Sequence, residues 1–113
     1  MSRRSDKDLI ADMLEAINRA VSYCAELDYA AFLQDTKTQD AVVRNIEILG
    51  EAAKNVSANL RERHREIPWK SVAGMRNRLV HDYFGVNWDI VWGVLVRDLP
   101  ALSDQLTRVL TDC

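Results

Sequence analysis

This sequence is short of the residues that interrupt regular structure: its 113 residues include only four glycines and two prolines. So few turn formers argue against a strand-rich sandwich, a collagen-like repeat or a disordered chain. The 48% hydrophobic and 28% charged residues are typical of a soluble globular protein. No apolar run approaches the roughly 18 residues that span a bilayer, and the first residues lack an apolar signal-peptide core. We therefore expect one domain over residues 1–113, in the cytoplasm and without membrane association.

Cysteine and histidine are scarce too, with two of each. Cys24 falls on the apolar side of the first predicted helix, where we expect a buried free thiol, and Cys113 is the last residue of the sequence. Disulfides are rare in a reducing compartment, so we predict that neither cysteine is paired. Two cysteines and two distant histidines match no known zinc spacing, and no carboxylate cluster resembles a magnesium site. The sequence therefore predicts neither a metal nor a cofactor.

Hydrophobic periodicity predicts helix nearly throughout the chain. Ser5, Asp28, Ser57 and Asn87 are good candidates for helix N-caps, and Pro100 should kink or split the last helix. Gly50 lies inside a predicted helix, where it indicates close packing against a neighbour. The pattern predicts an all-α antiparallel bundle with short helices after Asp28 and Ser57 and four main helices, over residues 6–27, 38–56, 69–83 and 87–110.

Charge is unevenly distributed along the chain. The net charge is −2, which argues against binding nucleic acid through an overall positive surface. Residues 61–81 nevertheless carry +4, whereas residues 1–60 and residues 82–113 each carry −3. This basic segment indicates either one site for an anionic ligand or a solvated helix face.

The stretch 75–83 concentrates the side chains best suited to chemistry: Arg76, Asn77, Arg78, His81 and Tyr83. Arginine clamps phosphate, and histidine exchanges a proton near neutral pH, so the pair suits cleavage of an RNA phosphodiester without a metal. On one helix Asn77 and His81 share a face, but Arg76 and His81 lie about 140° apart. We therefore expect two copies of the segment to meet in a groove at a two-fold interface. The alternative is a histidine that caps or packs at a helix end among surface arginines.

These residues also carry a resemblance to a known family. The run from Arg76 to Tyr83 matches the R-x4-H-x-Y signature of HepT-like proteins, a branch of the HEPN superfamily. The similarity extends over most of the chain, including the stretches 48–52 and 67–70 and the run from His81 to Trp92. It implies a helical bundle that forms a homodimer with a composite cleft.

The resemblance also implies a function. HepT-like proteins are metal-independent endoribonuclease toxins of type VII-like HEPN/MNT toxin–antitoxin systems, neutralised by AMPylation by a partner MNT-type nucleotidyltransferase. By position, Arg76 and His81 become the catalytic pair, Asn77 and Arg78 bind or orient the RNA (a tRNA or an mRNA), and Tyr83 is the AMPylated residue. A rival reading is a non-catalytic helical scaffold or nucleotide-binding subunit for a nucleotidyltransferase.

Other polar and aromatic residues receive a structural interpretation. Glu47 and Glu51 lie four apart on the second main helix, where they could pair with Arg44 or reach the cleft, and we favour a structural or solvated role. Three arginines, Arg61, Arg63 and Arg65, could extend the basic surface. Three tryptophans could stack on bases, but we expect core or interface packing for Trp88 and Trp92, and leave Trp69 open.

Overall fold

The computed structural model describes residues 4–80 and 85–113, and it confirms the all-α fold class. A π-helical turn, Val94–Asp98, joins the last two helices. The α-helices in the described residues are α1 (Asp6–Tyr23), α2 (Tyr29–Leu33), α3 (Thr36–Asn55), α4 (Ala58–Arg63), α5 (Trp69–Ala73), α6 (Met75–Leu79), α7 (Trp88–Gly93) and α8 (Leu99–Thr111).

The predicted N-caps are confirmed. In each, a side-chain oxygen accepts a hydrogen bond of 2.8–3.2 Å from the backbone N–H three residues later, which satisfies a donor at the open helix end; the four caps are Ser5, Asp28, Ser57 and Asn87. Asp35 caps α3 in the same way, over 3.0 Å, so this helix begins at Thr36 rather than at Thr38. Helix α1 ends at Tyr23, four residues before the predicted Leu27.

The core lies where α1 packs against α3 and α8. The start of α1 lies beside the end of α3, because the carboxylate of Asp6 accepts hydrogen bonds from Ser57; the two helices are therefore antiparallel. Apolar side chains at three- and four-residue steps fill the space between the helices, and each fully buried one contributes about 1.5–3 kcal/mol. Among the most buried are Ile10, Met13, Ile17, Phe32, Val42, Ile46, Leu49, Leu99 and Leu106.

Gly50 marks the closest approach of α3 and α5. A Cβ atom at this position would lie 3.2 Å from the carbonyl oxygen of Ala73 and 3.4 Å from that of Val72. The absence of a side chain therefore allows the two backbones to pack directly, as the sequence predicted. This contact fixes α5, and with it the neighbouring α6, against the long helix α3.

The third main helix differs from the prediction. It is divided at Gly74 into α5 and α6, and α6 ends at Leu79. Val80 is extended, at φ −114° and ψ 122°, and forms an isolated antiparallel bridge with Val86. The prediction of helix through Tyr83 is therefore wrong at Val80, because pairing with a residue from beyond the motif replaces the next helical turn.

The last helix runs from Trp88 to Thr111 with a change of helical geometry in the middle. Pro100 is the second residue of α8, and the π-helical turn directly precedes this helix. Proline cannot donate the hydrogen bond that a continuous α-helix needs at this point, and the wider turn accommodates the missing donor. The prediction of a kink or split at Pro100 is therefore only partly right: the regular α-helix is interrupted at Val94–Asp98, before the proline, and Pro100 itself lies within α8. No helix in residues 4–80 or 85–113 is long and apolar enough to cross a membrane.

Candidate functional site

Helix α6 presents three consecutive polar side chains of the motif to solvent. Met75 and Leu79 are 4% and 1% exposed, and they hold this five-residue helix against the core. The residues between them, Arg76, Asn77 and Arg78, are all exposed. The local sequence therefore explains the display, since apolar residues four apart bury one side of a helix and leave the rest facing outwards.

Arg76 is held by a carboxylate from another helix. Its Nε atom donates a hydrogen bond of 2.9 Å to Oε2 of Glu47, which lies on α3. The terminal nitrogens Nη1 and Nη2 have no hydrogen-bond partner within residues 4–80 and 85–113. Arginine binds phosphate through a planar fork of such donors.

A groove of about 540 Å³ opens in front of this pair, between α1, α3 and α6. The guanidinium of Arg76 and the carboxylate of Glu47 both line this groove. On its α1 side, Arg4 and Asp12 form an ion pair in which nitrogen and oxygen are 2.7 Å apart. Arg44 also lines the groove and has no ion-pair partner in the part of the chain that the structure describes. The surroundings of Arg76 are thus mixed in charge, because three arginines and three carboxylates line the groove, the last being Asp12, Glu47 and Glu51.

Arg78 lies apart from this group. Its Nη1 atom is 3.3 Å from Oγ of Ser71, so the side chain turns back along α5. Residues two apart on a helix project roughly 200° from each other, which is why Arg76 and Arg78 do not converge. Asn77 is exposed between them.

His81 and Tyr83 lie outside the described residues, so their predicted roles stay predictions. The helical spacing that placed Asn77 and His81 on one face assumed a helix beyond Leu79, and α6 ends there. Val80 and Val86 lie on either side of this stretch and pair with each other as an isolated antiparallel β-bridge. Among the described residues no group of three or more His, Cys, Asp and Glu side chains could hold a metal ion.

The remaining arginines of the basic segment are used within the fold. Arg61 donates to the carbonyl oxygens of Ala53 and Lys54, at 2.9 and 2.7 Å, and so caps the end of α3. Arg63 pairs with Asp112 and Arg65 with Glu62. Arg61 and Arg63 therefore have partners within the fold, whereas the Arg65–Glu62 pair is highly exposed and contributes little to stability.

The tryptophans pack rather than offer stacking surfaces. Trp69 is 7% exposed, and its indole N–H donates 2.9 Å to the carbonyl oxygen of His64. The rings of Trp88 and Trp92 lie 5.7 and 5.2 Å from that of the fully buried Phe32. The expected packing role of Trp88 and Trp92 is confirmed, and Trp69 packs in the same way.

One polar cluster escaped the sequence analysis. Nε2 of His64 lies 2.7 Å from Oδ2 of Asp112, which also accepts from Arg63. This contact, together with the charge of Arg63, holds the pKa of the Asp112 carboxyl below its usual value. The residues are 48 apart in sequence, and no local pattern signals such a pairing.

The class of protein is an all-α bundle whose sequence carries the R-x4-H-x-Y motif, with the arginine of the motif on the short helix α6. The chain matches the family described as "Ribonuclease HepT-like" over residues 13–109. The protein therefore belongs to the HepT-like family, as the motif predicted.

Curated relatives agree with this family. The chain is 40% identical over 107 residues to "Probable ribonuclease HepT" of Thermococcus cleftensis, with 95% of this chain and 97% of the relative covered. A "Putative RNase" of Methanocaldococcus jannaschii is 33% identical over 96% of this chain and the whole of its own. Another "Putative RNase", of Caldanaerobacter subterraneus, is 42% identical over 74% of this chain and 75% of its own. No solved structure matches this chain significantly.

Proposed function

We propose that this protein is a metal-independent endoribonuclease, formed by one HepT-like domain, in which Arg76 and His81 carry the reaction. The observation that carries the proposal is the state of Arg76: it is exposed on α6 and has both terminal nitrogens without a protein partner in the described residues. Relatives that cover nearly the whole chain are named as ribonucleases, which supports RNA as the substrate.

The reaction follows from the two side chains. The imidazole of His81 takes the proton of a ribose 2′-hydroxyl, and the resulting oxygen attacks the adjacent phosphorus. The bond to the 5′-oxygen breaks, leaving a 2′,3′-cyclic phosphate on one fragment and, after protonation, a 5′-hydroxyl on the other. The guanidinium of Arg76 stabilises the negative charge that builds on the phosphoryl oxygens.

Asn77 and Arg78 have a secondary place in this proposal. Arg78 faces Ser71 rather than Arg76, so we assign it to the RNA beyond the cleaved phosphate. Asn77 is exposed beside Arg76 and is assigned to orienting His81 or the substrate. Two copies of the chain in a homodimer would bring two such motifs to one cleft.

The same motif supports a biological role. We propose that the protein is the toxin of a toxin–antitoxin pair in the cytoplasm, with an MNT-type nucleotidyltransferase as its partner. AMP attached to Tyr83 would add bulk and a negative phosphate within seven residues of Arg76, and so would compete for the guanidinium. Intact-mass measurement after co-expression tests this, since AMP-sized increments should be lost in Tyr83→Phe.

The central experiment is RNA cleavage in EDTA by the wild type, His81→Ala and Arg76→Ala. Cleavage by the wild type with a cyclic phosphate and a 5′-hydroxyl, lost in both variants while the fold is kept, is expected. Arg108→Ala, which removes an exposed arginine of α8, is the matched control and should cleave normally. If His81→Ala cleaves as well as the wild type, the assignment is wrong, and if no RNA is cut the scaffold function replaces it.

A further inference from the structure

We propose that Glu47 is a positioning residue that holds the guanidinium of Arg76 in the orientation needed for phosphate. This inference rests on the proposed ribonuclease function and adds to it a residue from outside the motif. Glu47 lies on α3, 29 positions before Arg76, and its carboxylate accepts the hydrogen bond of 2.9 Å from Nε.

The geometry of this contact favours positioning. The carboxylate engages Nε, at the side of the guanidinium, whereas Nη1 and Nη2 at its far end have no partner in the described residues. An arginine side chain is long and loses much rotamer freedom when it is ordered. A single anchor at Nε orders the side chain in advance and leaves the outer fork open for two phosphoryl oxygens.

The placement of Glu47 explains why α3 supplies this anchor. Helix α6 has five residues, too few to hold a long exposed side chain by itself. Helix α3 has 20 residues and is packed against α1, and Gly50 brings its backbone into contact with α5 immediately before α6. Glu47 lies one turn before Gly50, so the same close packing sets the distance between the carboxylate and Arg76.

The carboxylate does not leave the groove acidic at this point. Its charge is matched by Arg76, and the other charges that line the groove balance as well, with Arg4 and Arg44 against Asp12 and Glu51. A phosphate that meets the outer nitrogens of Arg76 therefore approaches the end of the pair away from Oε2. The opposite arrangement, in which a carboxylate covers Nη1 and Nη2, would withhold the arginine from RNA.

The test compares three variants with the wild type in single-turnover RNA cleavage in EDTA. Glu47→Ala should lower the maximal rate about tenfold, with little change in the RNA concentration at which the rate is half-maximal. Displacement of a catalytic group by about 1 Å can lower the rate up to about 100-fold, and we expect a smaller loss here because the Glu47–Arg76 pair is partly exposed. Glu47→Gln keeps an oxygen acceptor for Nε and should restore most of that loss. Asp104→Ala is the matched control, since Asp104 is an exposed carboxylate on α8 that does not line the groove. Its rate should stay within about twofold of the wild type.

The outcomes separate this inference from the function on which it rests. Equal rates for Glu47→Ala and Asp104→Ala, or a faster Glu47→Ala, would overturn the positioning role. Cleavage that still requires Arg76 would leave the ribonuclease function intact. A rate loss that Glu47→Gln does not restore, accompanied by a lower melting temperature, would show a structural role instead. A wild type that cuts no RNA would remove the function, and the inference with it.

Discussion

The hydrogen bonds between Asp6 and Ser57 allow a quantitative test of how the bundle is held together. The Asp6 carboxylate accepts from the backbone N–H of Ser57 at 2.9 Å and from its hydroxyl at 2.6 Å, which joins the start of α1 to the start of α4. Asp6→Ala removes both acceptors and leaves the part-buried N–H of Ser57 without a partner. Hydrogen bonds to charged groups contribute about 1.5–3 kcal/mol each, and partial exposure reduces this, so we expect a loss of about 2 kcal/mol.

This loss corresponds to a measurable shift in melting temperature. The entropy of unfolding is about 2.1 cal/mol/K per residue, or about 0.24 kcal/mol/K for a chain of this length, so Asp6→Ala should melt about 8 °C lower. The measurement is thermal unfolding followed by helical circular dichroism at one fixed protein concentration.

Asp8→Ala is the control, because Asp8 is also acidic and in the first turn of α1 but is exposed. It should lose only the dipole interaction, about 0.5 kcal/mol or about 2 °C. Equal shifts for the two variants would refute the reasoning, since the Ser57 contacts would then contribute nothing beyond helix-end charge.

Three further predictions concern the core, the pH dependence and the thiols. Phe32→Ala should lower the free energy of unfolding in urea by about 3–5 kcal/mol, because the Phe32 ring fills the space against two tryptophans. It should also shift the tryptophan fluorescence to the red. A loss of unfolding free energy below about 1 kcal/mol would contradict this packing. Because the pKa of Asp112 is lowered in the folded protein, its charge stabilises the fold at pH values above the ordinary carboxyl pKa. This stabilisation is lost as the pH falls through the lower pKa of the folded state. Asp112→Asn should therefore flatten the acid limb of stability against pH, and an unchanged limb would count against the contact with His64. Burial raises the pKa of both thiols, but Cys24 is buried whereas Cys113 is exposed. A thiol reagent should therefore modify one cysteine quickly, and Cys113→Ser should remove that fast phase; two equally fast thiols would show that Cys24 is accessible.

The helical architecture could be predicted because its signals are local. Ser5, Asp28, Ser57 and Asn87 act within three residues of their own positions, so a cap is readable without knowing the fold. The apolar stripe of α1 is similarly set by three- and four-residue steps. Gly50 predicted close helix packing, because glycine is scarce in this chain and a glycine inside a strong helical pattern requires a packing reason.

The candidate site could be predicted only in part. The motif identified Arg76 and the family, and the match over residues 13–109 confirms the latter. For Glu47, pairing with Arg44 or a place in the cleft was weighed and a structural or solvated role was favoured. The observed contact with Arg76 spans 29 residues and depends on how α3 and α6 pack. Arg61 and Arg63 were counted as surface charge, yet each reaches a distant acceptor that becomes close only in the folded chain.

By itself, the sequence determined the all-α class, the N-caps of α1, α2, α4 and α7, the burial of Cys24 and the family to which the chain belongs. Each of these depends on neighbours within about one helical turn or on a motif of eight residues. The tertiary structure alone decided that helix stops at Leu79, where Val80 pairs with Val86, that Glu47 holds Arg76, and that His64 meets Asp112. These contacts join residues that are distant in sequence and become close only when the helices pack. Their free energies compete with the local preference for helix, so they cannot be predicted from any short stretch of sequence.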